Sequence, residues 1–238
     1  MSRHLANKPV HGQWIRAISA TLACVATLAA CGDASPETTS TGLPTTTAAD
    51  GAGAEGSVYS TSVFVLPFEV AMPTWLGDTE NTEEPNFVTW SPSEDVALPE
   101  RDLHPAVRFL IPVVVYPPGE TDTSPPPDDY LAYLLAQSEH GASLEDVTET
   151  TVGGSPATIV TATVPDSLDG SLGCPAEGIT AHDCFGLQPD LTLRIAVIDV
   201  GETTLLVWLR HAQAAGDAEL THEIAAFEEM LETVHFIN

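Results

Sequence analysis

Several residue groups in this chain have the types and spacing to do chemistry. Ser155 stands in Gly153-Gly154-Ser155-Pro156-Ala157, close to the Gly-x-Ser-x-Gly turn that presents a nucleophilic serine. That turn works with a strand before the serine and a helix after it. Here Pro156 and a β-branched run to Val164 follow. The segment therefore reads as a turn entering a strand, and no Asp–His pair can be assigned to the serine. His222-Glu223 opens like a metal-binding H-E-x-x-H helix, but Ala226 stands where the second histidine belongs, so no metal site is expected. Cys174 and Cys184 lie in a Gly/Pro-containing segment. We read them as a disulfide closing about 11 residues, a constraint of about 2–3 kcal/mol in the chain-entropy view. The competing reading, a metal held by Cys174, His182 and Cys184, lacks a fourth ligand and any zinc-ribbon spacing. Asp166-Ser167-Leu168-Asp169-Gly170 lacks the downstream bidentate glutamate of a calcium loop. The other histidines of the region (His104, His140, His211, His235) are scattered singly and read as structural or solvated. No catalytic, cofactor or metal residue is predicted, and a serine hydrolase built on Ser155 is the alternative.

Cys31 has a different chemistry. It closes Leu28-Ala29-Ala30-Cys31, and Gly32 follows. Residues 1–16 carry Arg3, Lys8 and Arg16 and no acid, and residues 17–30 are small and apolar without a charge. Fourteen residues fall short of the roughly 20 that span a bilayer core as a helix, and suit the apolar region of a secretory signal. The four residues resemble the lipobox of bacterial lipoproteins, L-[AS]-[AGS]-C. That resemblance implies cleavage before Cys31 and acylation of it, over a signal peptide at 1–30. Two acyl chains anchor stably where one does so marginally. The expected location is extracytoplasmic, at the cell membrane, anchored by lipid.

The formal charge is −27, and beyond residue 30 four arginines and no lysine face 34 acidic residues, a net of −30. Such a surface repels polyanions, so nucleic acid is not expected as a partner. Residues 31–56 are mostly Ser, Thr, Ala, Gly, Pro and acid, with Leu43 the large apolar exception. They cannot bury enough surface to order themselves and read as a disordered tether, with an r.m.s. reach of about 25–30 Å.

Positioning elements come from residues 57–238, the size of one domain. Ser62–Met72 is apolar and divided by Pro67, which predicts two short strands or a bulged edge strand. Phe87–Trp90 reads as a short strand, and Ala106–Tyr116 as a long buried one with Pro112 at an edge or bulge. Asp128 or Asp129 caps a helix to about His140, with Leu131, Leu134 and Leu135 on one face and Gly141 ending it. Ser155–Val164 reads as a strand. Leu191–Val200 and Thr203–Arg210 form a hairpin, since the Gly201-Glu202 pair suits a type II′ turn. A last helix begins near Asp217, with Leu220, Ile224, Phe227 and Leu231 facing the sheet and Glu219, Glu223, Glu228, Glu229 and Glu232 in water. Trp75, Trp90 and Trp208 read as core.

These elements predict an α+β fold, an antiparallel sheet of six to seven strands flanked by helices. Their order, with Pro73-Thr74-Trp75, Gly-Gly-x-Pro-Ala before a strand, Thr204-Leu205-Leu206-Val207-Trp208-Leu209, and the ending Met230-Leu231-Glu232-Thr233-Val234-His235-Phe236, resembles PsbP/Mog1-like domains, particularly those of actinobacterial lipoproteins. The resemblance implies an α/β/α sandwich and a non-enzymatic accessory or binding role. It carries over no catalytic residue. The cysteine-bearing insertion at 165–190 departs from its pattern. The function expected is that of a membrane-anchored lipoprotein binding an envelope protein or a small ligand; a passive acidic envelope component is a further alternative.

Overall fold

The computed structural model describes residues 56–77, 79–93, 95–97, 103–168 and 170–237. Cys31, the signal and nearly all of the tether lie outside the described residues, as does Asp169 of the weighed calcium loop. The strands are β1 (Val58–Ser60), β2 (Phe68–Ala71), β3 (Thr79–Glu84), β4 (Phe87–Pro92), β5 (Ala106–Leu110), β6 (Ser143–Val152), β7 (Ser155–Thr163), β8 (Leu191–Val200), β9 (Thr203–Ala212) and β10 (His235–Phe236). The helices are α1 (Tyr130–Ala136) and α2 (Asp217–Glu232). Seven strands form one sheet in the order β3-β4-β5-β9-β8-β7-β6, and β1-β2-β10 form a small second sheet. Every pairing is antiparallel.

The large sheet is buried on both faces at its centre. On one face Phe109, Ile159, Ile198, Leu205, Val207 and Leu209 pack with Phe227, Met230 and Leu231 of α2 and with Phe68 and Val70 of β2. Phe68 stacks on Phe109 at 4.5 Å between ring centroids. On the other face Leu110, Val160, Leu193, Ile195, Leu206 and Trp208 pack with Tyr130 and Leu134 of α1 and with Leu172 and Leu187 of the insertion. One helix thus lies on each face of a mainly antiparallel sheet, an α+β arrangement in layers. Alternation explains it: β8 and β9 are apolar at nearly every position, so odd and even residues each need a cover.

Local chemistry sets the ends of these elements. The Asp129 carboxylate accepts from the Ala132 N–H at 2.8 Å and caps α1. Gly141, at φ +105°, ends the 3-10 turn that follows α1. Asp217 and Glu219 lie in the first turn of α2, where the helix dipole favours negative charge. The two-residue loop between β8 and β9 has Gly201 at φ +64°, as the first central position of a type II′ turn requires.

The structure differs from the sequence reading in five places. Ser62–Leu66 forms no strand. Instead the Glu83 carboxylate accepts from the backbone N–H of Ser62, Val63 and Phe64 at 2.7, 2.6 and 2.9 Å, and these bonds replace a ladder. The strand expected to reach Tyr116 stops at Leu110, just before Pro112, which has no N–H to donate. Three strands were not expected: β1, and β3 and β6, which are the two edges of the large sheet. Beside the expected antiparallel sheet, present with seven strands, stands a small second sheet that was not expected. Finally, Glu223 is buried, because its carboxylate meets His211 Nδ1 at 2.7 Å.

Candidate functional site

The chemistry-bearing residues of the sequence are dispersed. Gly153 and Gly154, at φ +58° and +82°, form the tight turn between β6 and β7, and a strand rather than a helix follows Ser155. His222 is exposed on α2. Cys174 and Cys184 are joined by a disulfide, with their Cα atoms 4.5 Å apart, which removes both thiols from metal binding. Among the described residues no group of three or more His, Cys, Asp or Glu side chains is arranged to hold a metal ion. Trp208 and Trp90 are core, and Trp75 packs against it.

What the disulfide does is hold a loop over the sheet. Cys174 exchanges backbone bonds with the segment after β5: the Val113 N–H donates to its carbonyl at 2.8 Å and its own N–H donates to Val114 at 2.9 Å. The Phe185 N–H donates to the Gly173 carbonyl at 3.0 Å. From α1 the Tyr133 hydroxyl donates to the Ser171 carbonyl at 2.6 Å, and the Tyr130 hydroxyl donates to that of Leu172. Burial pushes Tyr133 up to about 12. Burial, and then Tyr133, pushes Tyr130 well above the ordinary tyrosine range, so both stay protonated donors. Gly173 is required by space: a Cβ there would lie 2.9 Å from Pro112 Cβ and 3.0 Å from Leu110 Cδ2.

Beneath this loop lies a cavity of about 230 Å³, lined by Arg108, Arg210, Trp208, Phe185, His182 and Asp183, among others. Register places the arginines together. Arg108 of β5 pairs with Trp208 of β9, and Arg210 pairs with Ala106, so both arginines rise from one face, one step apart along the sheet. The Arg108 guanidinium carbon sits 5.1 Å from the centroid of the Phe185 ring, within cation–π range. Phe185 is held in turn by Phe87, stacked at 4.8 Å, and by the edge of Trp208 at 5.3 Å. Burial, and then the like charge of Arg210, lowers Arg108 to about 10, so it remains a cation at neutral pH.

Arg108 has no ion pair among the described residues, and its buried Nε has no hydrogen-bond partner. Thr89, directly opposite Arg108 on β4, likewise has a buried Oγ1 without a partner. An arginine offers donors only, in a planar fork. At neutral pH it can bind and orient an anion but cannot take a proton. The sequence reading missed Arg108 and Arg210. The signal was there in a lysine-free region of 34 acids: three of its four arginines interrupt apolar strands, in Ala-Val-Arg-Phe-Leu, Leu-Thr-Leu-Arg-Ile and Val-Trp-Leu-Arg.

A larger cavity of about 610 Å³ lies at the start of α1, bordered by Asp128, Asp129, Glu149 and Asp199. No buried polar atom without a partner borders it among the described residues, and its four carboxylates are exposed.

No protein-family model and no curated protein sequence matches the chain. Among solved structures it is similar to CyanoP, the cyanobacterial PsbP of Synechocystis sp. PCC 6803, at 13% identity and a TM-score of 0.40, over 80% of this chain and 98% of that one. It is also similar to PA94 of Pseudomonas aeruginosa, a protein of unknown function, at 17% identity and a TM-score of 0.36, over 75% of this chain and 96% of that one.

Proposed function

We propose that this chain is a lipid-anchored, extracytoplasmic, non-catalytic binding domain of PsbP/Mog1-like type, and that it takes a small ligand in the cavity beneath the disulfide loop. The observation that carries the reading is Arg108, a partly buried cation in the cavity under the disulfide loop, without an ion pair among the described residues. A charge withdrawn in part from water without a counter-ion carries a cost, and a bound anion offsets it. Two features support the location. The lipobox at Leu28–Cys31 supplies an anchor, and disulfides such as Cys174–Cys184 persist outside the reducing cytoplasm. Among the described residues no helix is long and apolar enough to cross a membrane, so the anchor in this reading is Cys31.

The test is capture of the full-length protein from its own membranes after crosslinking, with bound small molecules and proteins identified by mass spectrometry. A small molecule retained in Cys31→Ala and lost in Arg108→Gln is the expected result. Capture of no small molecule, or of one that Arg108→Gln keeps, overturns the assignment of the cavity. Equal membrane recovery of Cys31→Ala and the unmodified chain overturns the anchor.

A further inference from the structure

We propose that the cavity beneath the Cys174–Cys184 loop selects a monovalent carboxylate carried on a small body. This deepens the reading of a small-ligand site and rests on it. The charge argument comes first. The Arg108 fork matches the two oxygens of a carboxylate, and no described carboxylate pairs with it. Arg210 rises from the same face and also lines the wall. Asp183 stands at the exposed rim, and the formal charge of the chain is −27. A field of that sign opposes approach of a polyanion more than of a monoanion, which disfavours phosphate esters and favours a single carboxylate.

Shape gives the rest of the ligand. Phe185 and Leu191 supply the accessible apolar part of a mainly polar wall, with Trp208 and Leu193 buried behind it. Phe185 is held by Phe87, by Trp208 and by the Arg108 guanidinium over its ring, so this wall is preformed and a small body meets it without ordering it. At about 230 Å³ the cavity is smaller than the roughly 300–1,000 Å³ of drug-sized sites, which limits the body to about one ring.

The experiment is a nitrogen–proton NMR titration of the full chain, following the Arg108 Nε–H and the Trp208 indole N–H. The probes are benzoate, neutral benzamide of the same shape, inorganic phosphate, and N-acetylphenylalanine as a chain-terminal carboxylate. Benzoate is expected to move both signals saturably. Benzamide is expected to bind at least about tenfold more weakly, as loss of a charge-assisted hydrogen bond implies. Arg108→Gln should weaken benzoate by a similar factor, and Arg108→Lys, which keeps the charge but not the fork, should fall between. Signal dispersion reports whether each variant is folded, and the benzamide arm needs no variant at all. Tighter binding of benzoate than of N-acetylphenylalanine assigns a free acid, and the reverse a peptide terminus; either supports the carboxylate. Equal binding of benzoate and benzamide overturns the anion and leaves a ligand site. Phosphate binding tighter than benzoate overturns the monovalent class. If no probe moves either signal the inference falls, while the membrane capture separately decides the broader reading.

Discussion

Arg108 and Arg194 are both arginines set into apolar strands, on opposite faces of one sheet. Arg194, on β8 and facing α2, is 8% exposed and fully engaged. Its Nε and Nη2 donate to Glu228 Oε1 at 2.9 and 2.7 Å, and its Nη1 donates to the Asp146 carbonyl at 3.0 Å and Thr161 Oγ1 at 2.9 Å. Asp146 is reachable because β6 bulges there, between Glu145 and Thr148, with Asp146 at φ +51°. Arg194 therefore ties an edge strand, two central strands and a helix together. Arg108 faces the other helix layer, has an aromatic ring and a second guanidinium for neighbours, and makes no such set of bonds. Similar side chains, one buried and one partly buried, thus differ in how they are satisfied. The satisfied one is a latch, and the other keeps a donor, its Nε, without a partner among the described residues.

That contrast is broken most forcefully at the latch. Arg194→Ala should destabilise the domain by about 3 kcal/mol, the lower end of the cost of breaking a buried pair, because Glu228 is 41% exposed and can recover water. Urea denaturation would show it as a lower midpoint at unchanged slope. Next in size is the roof of the other region. The double change Cys174→Ser with Cys184→Ser should cost about 2–3 kcal/mol. The latch and the roof share no bonding partner, so the two losses should add to within about 0.5 kcal/mol when combined. A strongly non-additive result would mean the two faces communicate through β8 and β9.

The legibility of the sequence follows the same division between satisfied and unsatisfied groups. The β8–β9 hairpin was readable because both of its faces are buried, so its residues are apolar throughout and its turn needs Gly201. β3 (TENTEE) and β6 (SLEDVTETTV) were not, because they are edges and largely exposed. Their strand state comes from pairing with β4 and β7 rather than from their own side chains. Ser62–Leu66 misled in the opposite sense, since an apolar run became a loop once one distant carboxylate took its N–H groups. Glu223 looked solvated by helical period, and only the fold brings His211 to it. Arg108 and Arg210 could be singled out as odd residues in apolar strands. Their meeting depends on β5 pairing with β9 across about 100 residues of sequence, which local pattern does not encode.

Glu83 extends the comparison to a satisfied carboxylate. Burial alone would raise it, but the Tyr59 hydroxyl and the N–H groups of Val63, Phe64 and Ser62 outweigh this and hold it at about 2. A folded-state value below the usual 4.5 means stability that is present above the ordinary carboxylate range and lost as pH falls toward 2. Glu83→Gln should therefore lower Tm at neutral pH by less than either change above. The gap between the two proteins should close as pH falls from about 4.5 to about 2. A gap that stays constant across that window would show that the carboxylate charge is not what holds the Ser62–Phe64 loop.

The smallest effect expected carries the opposite sign. Arg108→Met keeps an unbranched side chain of similar reach against Phe185 and removes a cation that has no ion pair among the described residues. Replacing a buried charge by a well-packed apolar group is often neutral or stabilising, and relief of the repulsion from Arg210 adds to the gain. Because part of the side chain still reaches solvent, the change should be at most about 1 kcal/mol toward greater stability, read as a small rise in Tm. The same substitution at position 194 would cost about 3 kcal/mol. Sites kept for binding are commonly less stable than the sequence could make them, and a stabilised Arg108→Met protein that no longer binds benzoate would be such a case. If Arg108→Met instead loses as much stability as Arg194→Ala, Arg108 is itself a latch, and the distinction between the two faces disappears.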